Sequence, residues 1–233
     1  MLRLLFGIFL CIAIGTMLTL LMRGVNGAKP AESLWGVVAG VMSFQGVALV
    51  FVWRFVREHE LGWAEAFGFR NRRSRALLLG TLAVIMFFPV GQLLQIFSIN
   101  ILTRMHLDPT AQAAVEVLRV ASHGPELVTF ALLTIVVVPV AEELVFRGIL
   151  YPAIKYAGFP RLALWGTSAL FATIHFNLAV FLPLLLLSLV LTWLYEETDN
   201  LLATIAAHSL FNAVNLGLFI LSDTFSTKLP VQP

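Results

Sequence analysis

Apolar residues fall along this chain in long unbroken blocks, not in alternation and not in narrow amphipathic stripes. Seven blocks stand out: Leu4–Met22, Leu34–Val56, Ala76–Leu102, Leu127–Tyr151, Leu162–His175, Ala179–Tyr195 and Leu201–Leu221. Most are close to the ~17–25 residues with which an α-helix crosses a bilayer. Strands would show short runs of period two instead. The pattern predicts an all-α fold, a polytopic transmembrane helix bundle of about seven to eight spans. We read residues 1–233 as a single integral membrane domain, with N-terminal spans in 4–102 and motif-bearing spans in 127–221.

Local signals refine the blocks. The fifth is short. Phe88-Pro89 should kink or break the third, because proline removes a backbone donor and clashes with the preceding turn. Asp108-Pro109-Thr110 opens an amphipathic surface helix over Ala111–Val120, and Gly124-Pro125 punctuates the entry to the fourth block. The first block is long enough to span, and no small-residue cleavage site follows it. It therefore reads as a retained helix, not a signal peptide.

Composition agrees. Hydrophobic residues make up 59% of the 233 and charged ones 12%, with a mean hydropathy of +0.91, outside the globular range. The net charge of +2 comes from loop arginines with no interleaved aromatics, so nucleic acid is not an expected partner. Cys11 is the only cysteine, which excludes disulfides within the chain and cysteine-based zinc sites. Arg54, Arg57, Arg70, Arg72, Arg73 and Arg75 cluster between the second and third blocks. The positive-inside rule puts that segment, and by alternation the N-terminus, in the cytoplasm; ten of the fifteen Lys and Arg then lie on one side. The arginine cluster reads first as a topological anchor and second as a contact for anionic lipid.

Against this background the polar residues of the C-terminal half are conspicuous: Glu142, Glu143, Arg147, His175, His208 and Asn212. A charge inside a membrane helix costs a few kcal/mol or more, so it is read as functional by default. Glu143 and Arg147 are spaced i, i+4, the natural spacing of an ion pair on one helix face, and read as a brace. Glu142 lies about 100° away around the helix and should not share a target with Glu143. His208 and Asn212, and Phe171 and His175, repeat the i, i+4 spacing. Glu142, His175, His208 and Asn212 are thus free to meet between helices.

Two chemistries suit that set. A carboxylate beside imidazoles takes a proton from water, while a histidine and an asparagine stabilise an oxyanion. Alternatively, Glu, two His and an Asn oxygen form an acceptable zinc ligand set, although no H-E-x-x-H helix is present. His59, His106 and His123 fall in loops, and Glu196, Glu197 and Asp199 read as a hydrated loop. Asn177 reads as a helix cap and Asn215 as a further candidate. With alternating spans, Glu142 and His208 fall in one half of the bilayer and His175 nearer the other, unless the fifth helix begins deeper or tilts.

The ordered trio Glu142-Glu143-x-x-x-Arg147, Phe171-x-x-x-His175 and His208-x-x-x-Asn212 resembles the CPBP family, the CAAX prenyl endopeptidases and bacteriocin-processing (Abi) proteins. The resemblance covers residues 142–212, and Phe67-Gly-Phe-Arg-Asn-Arg-Arg73 resembles text that often precedes those motifs. It implies an intramembrane endopeptidase with a conical or cleft-like cavity within the bilayer. Glu142 would activate water, His175 would assist, His208 and Asn212 would form the oxyanion hole, and Glu143 and Arg147 would support them. The implied type is a glutamate peptidase without cofactor, with zinc as the variant. The implied substrate is a peptide or lipid-modified protein in the membrane, and the compact length points to a bacterial inner membrane. The other readings are a non-catalytic membrane scaffold or bacteriocin immunity factor, and a transporter, for which no paired broken helices or inverted repeats are visible.

Overall fold

A computed structural model describes residue 38 and residues 40–107 and 124–228. The first block, the amphipathic helix over Ala111–Val120, Cys11 and His123 lie outside the described residues, as does the start of the second block. All regular structure in the described residues is helical. A π-helical turn, Met42–Gly46, leads into α1 (Val47–Glu58), followed by the short α2 (Trp63–Ala66) and the long α3 (Arg73–Arg104). Then come α4 (Pro125–Tyr156), α5 (Pro160–Thr173), α6 (Leu178–Thr198) and α7 (Leu201–Lys228).

Four of these helices, α3, α4, α6 and α7 as far as Ser222, are long and apolar enough to cross a membrane. The chain is an integral membrane protein. Its outer surface has the matching character: Ile85, Met86 and Leu93 on α3 are 61%, 73% and 66% exposed, acceptable against lipid but not against water. α6 is the central helix, packed on α3, α5 and α7, with Leu187, Leu191 and Leu194 fully buried.

Two expectations change. Of the kink or break expected at Pro89, the break does not occur: α3 is one continuous helix through it, and packing against α6 and α7 holds a proline-containing helix together inside a bundle. The fifth block forms a helix of only 14 residues, about 21 Å at 1.5 Å per residue, short of the ~30 Å hydrocarbon core. By length α5 is not among the helices able to cross a membrane. It stops partway and turns at 174–177 into α6, with Asn177 Oδ1 accepting from the Ala179 N–H at 3.0 Å as the cap. His175, in that turn, is half-buried.

The segment after α2 is a clasp. Leu201 N–H donates to the Phe67 carbonyl (3.0 Å), Asn71 Nδ2 to the Asp199 carbonyl (3.0 Å), and Asn200 Nδ2 to the Asn71 carbonyl (2.5 Å). Gly68, at φ +64, lies so close to Asp199 that a Cβ would overlap its carbonyl oxygen. The Phe67 ring fills the space left by Gly148 on α4, where a Cβ would come within 2.8 Å of it. This clasp fixes α3, α4 and α7 relative to one another at one end. The same end carries Arg75–Glu197 (2.6 Å) and Lys155–Glu196 (2.5 Å). Glu196 and Glu197 belong to the last turns of α6, not to a loop.

Candidate active site

α4 supplies both glutamates and the arginine, and its local geometry is irregular on either side of them. π-helical turns at Leu133–Val137 and Phe146–Leu150 flank the α-helical piece Val138–Val145; such bulges often mark functional sites. In the first turn the Val138 N–H reaches back to the Leu133 carbonyl. The next bond in that pattern would run from residue 139 to Thr134, but residue 139 is proline and has no N–H. The freed Thr134 carbonyl accepts from Asn212 Nδ2 at 2.9 Å.

The buried centre is an ion cluster. Arg147 Nη1 donates to Glu143 Oε1 at 2.8 Å, with both side chains at most 1% exposed. Arg147 Nη2 donates to the Ser188 carbonyl (3.0 Å) and Oγ (2.6 Å) on α6, and its guanidinium lies 4.9 Å from the Phe171 ring. Glu143 Oε1 also receives His208 Nδ1 at 2.9 Å. A carboxylate paired with arginine only accepts, so His208 carries its proton on Nδ1 and turns Nε2 outward. Nε2 lies 3.9 Å from Glu142 Oε2, which is buried and has no hydrogen-bond partner among the described residues.

This corrects one expectation. Glu142 and Glu143 do approach the same group, because an imidazole presents nitrogens on two sides. The histidine lies across both glutamates and contacts each through a different atom. The brace between Glu143 and Arg147 is present as anticipated. His175 joins the cluster across Phe171: its ring centroid is 5.1 Å from that ring, which is 5.7 Å from His208. His175 Nδ1 donates to the Phe171 carbonyl at 2.7 Å, leaving its Nε2 free of that bond. Asn212, one turn beyond His208, has one amide hydrogen directed to Thr134. Asn215 instead links α7 to α3 by accepting from Gln92 Nε2 at 3.2 Å. Among the described residues no three His, Cys, Asp or Glu side chains are grouped so as to hold a metal ion.

Residues 124–214 match the family described as type II CAAX prenyl endopeptidase Rce1-like. That segment, less than half of the chain, is similar to the CPBP family of membrane proteins. The chain is also similar to UPF0177 protein YxdF of Lactococcus lactis subsp. lactis (strain IL1403), with 33% identity over 96 residues. That alignment covers 41% of this chain and 52% of the relative, so the chain spans about half the length of the relative it matches. No solved structure matches.

The CPBP segment runs from the start of α4 into α7 and holds all six motif residues. Three further residues that the sequence reading passed over complete their surroundings. Ser188 binds the arginine, and Thr134 receives the asparagine. Gln45, from outside the CPBP segment, lines the same narrow cavity as Glu142. The signal for Ser188 and Gln45 was a lone polar residue within an apolar run, too common a feature to single out without a known neighbour.

Proposed function

We propose that this protein is a CAAX-protease-like intramembrane endopeptidase. The carrying observation is the pair of glutamates on one imidazole: Glu143 Oε1 bonded by Arg147 and His208, and Glu142 buried, its Oε2 without a hydrogen-bond partner among the described residues and 3.9 Å from His208 Nε2. An oxygen atom placed within ~2.8 Å of both atoms closes a triangle. A water or a substrate carbonyl suits that position.

In the reaction, Glu142 takes a proton as the water oxygen bonds to the scissile carbonyl carbon, and the carbonyl electrons move onto its oxygen. The oxyanion is met by the second amide hydrogen of Asn212 and by Nε2–H of His208 in its imidazolium form, whose Nδ1–H stays on Glu143. Collapse breaks the C–N bond, and the proton on Glu142 passes to the leaving nitrogen, restoring the carboxylate. His175, with Nδ1–H tied to the Phe171 carbonyl, offers its Nε2 lone pair as the assisting base. Glu143 and Arg147 hold the imidazole in place, with Glu143 accepting from Nδ1 so that Nε2 faces the reaction. The substrate is a membrane peptide or lipid-modified protein, and the arginine-rich end faces the cytoplasm of a bacterial inner membrane.

Comparing membrane peptidomes made with the wild type and with Glu142→Ala tests this reading. Products that disappear in Glu142→Ala, while its thermal unfolding stays near wild type, are expected; an unchanged product set would overturn it. One observation favours the second reading, a non-catalytic scaffold or immunity factor: Asn212 already has a structural bond to Thr134. Function that survives loss of Glu142, His175, His208 and Asn212 together would select it.

A further inference from the structure

Within the arginine cluster that precedes α3, most side chains are occupied by the protein itself. Arg54 pairs with Glu58 at 3.0 Å, and Arg57 lies 5.2 Å from the Trp53 ring. Arg73 Nε donates to the Phe69 carbonyl at 2.6 Å, and Arg75 pairs with Glu197 at 2.6 Å. Arg70 and Arg72 differ. Both are exposed, and the guanidinium of neither makes a hydrogen bond or ion pair among the described residues.

These two arginines and Arg75 line a surface cavity of about 470 Å³, within the range of sites that hold a small molecule. Asn71, Glu197 and Asp199 supply its other polar walls. Its charges do not cancel. Glu197 is taken by Arg75, and Asp199 Oδ2 is approached by Asn71 Nδ2 at 3.4 Å, so two unpaired guanidiniums face a single remaining carboxylate. A guanidinium stays charged throughout the physiological range, and its planar fork matches two oxygens of a phosphate. A topological anchor needs charge alone; it needs neither a cavity nor unpaired forks within one.

The surroundings select the source of the phosphate. α3 leaves the cavity at Ala76 and at once presents Leu77, Leu78 and Leu82 on its outer surface, all exposed. Leu78 is three residues past Arg75, about 4.5 Å along the helix axis. Trp193, one turn before Glu197 on α6, is exposed as well, as indoles are at the level of lipid headgroups. We propose that the cavity of Arg70 and Arg72 binds the phosphate of an anionic phospholipid whose acyl chains lie along α3. A zwitterionic lipid carries a cation that the same arginines repel. The site is separate from Glu142 and does not rest on the peptidase reading.

The test uses the full-length chain in a neutral detergent, titrated with phosphatidylglycerol, phosphatidylcholine or inorganic phosphate. Bound lipid is counted by native mass spectrometry, and the unfolding temperature is followed in parallel. The wild type should bind phosphatidylglycerol about tenfold more tightly than phosphatidylcholine and be stabilised by it. Arg70→Gln combined with Arg72→Gln should lose most of that preference, yet unfold at the wild-type temperature in phosphatidylcholine. Arg70→Lys with Arg72→Lys, which keeps the charge but not the fork, should retain only part of it. Arg57→Gln, outside the cavity, should retain all of it. An unchanged preference in the glutamine variant overturns the site. So does an equal loss in Arg57→Gln, which marks a response to net charge alone. If inorganic phosphate displaces the lipid where chloride of equal ionic strength does not, the cavity takes the free ion and the lipid assignment falls. A glutamine variant that unfolds early in phosphatidylcholine, with the preference intact in the lysine variant, makes the arginines part of the clasp and also overturns the proposal.

Discussion

The Glu143–Arg147 and Arg75–Glu197 pairs are almost equally short, 2.8 and 2.6 Å. Their surroundings are opposite. The first lies in the bundle at no more than 1% exposure, boxed in by Ser188, Phe171 and His208. The second lies at the clasped end at 45% and 42% exposure. Distance alone would rank them as equals, but desolvation separates them. A buried pair is worth little over well-packed apolar residues, yet leaving one partner alone is severe. An exposed pair is screened and nearly free to break. The buried cluster is therefore better understood as a way to orient His208 than as a stabilising device. The end pairs reinforce a clasp whose backbone bonds already hold it.

The sharpest way to break this comparison is Arg147→Leu. It strands the Glu143 carboxylate in the core and should destabilise the protein by about 3–5 kcal/mol, read as a lowered unfolding temperature in detergent. Glu143→Leu combined with Arg147→Leu should lose far less than the sum of the two single changes. Near-wild-type unfolding of Arg147→Leu alone would mean that the cluster is not desolvated as described. Asn212→Leu comes next, with an expected loss of about 1–2 kcal/mol, because the Thr134 carbonyl loses its donor. Measuring kcat on the same variant separates the two roles of Asn212: a structural bond alone predicts a lower unfolding temperature with cleavage retained. Smallest is Arg75→Gln, with under about 1 kcal/mol expected and no difference from wild type in high salt. A large effect there would show that the clasp depends on the ion pair and not on its backbone bonds.

Much of this architecture was legible beforehand because a bilayer imposes strong one-dimensional rules. A membrane helix must be long, apolar and internally hydrogen-bonded, so block lengths alone pointed to the helical bundle and to the four crossing helices of the described residues. The i, i+4 spacing of Glu143 and Arg147 encoded their ion pair, since helical periodicity makes those positions neighbours. Asn177 was readable as a cap for the same local reason. Pro89 shows where such rules stop: a local helix breaker was overridden by packing from α6 and α7.

What one helix could not reveal was how groups from different helices would meet. The 100° between Glu142 and Glu143 is a correct property of α4, yet both reach His208, because α7 lays an imidazole across them. The Thr134 carbonyl is orphaned by Pro139 within α4, but only the approach of α7 supplies Asn212 as its donor. Gln45 in the turn before α1 and Glu142 on α4 line one cavity only because those distant segments pack together. Hydropathy and spacing follow from the chain's own periodicity and its solvent, so the sequence contains them. Contacts between distant segments follow from how helices pack and where α5 stops short, and these depend on all the surfaces at once.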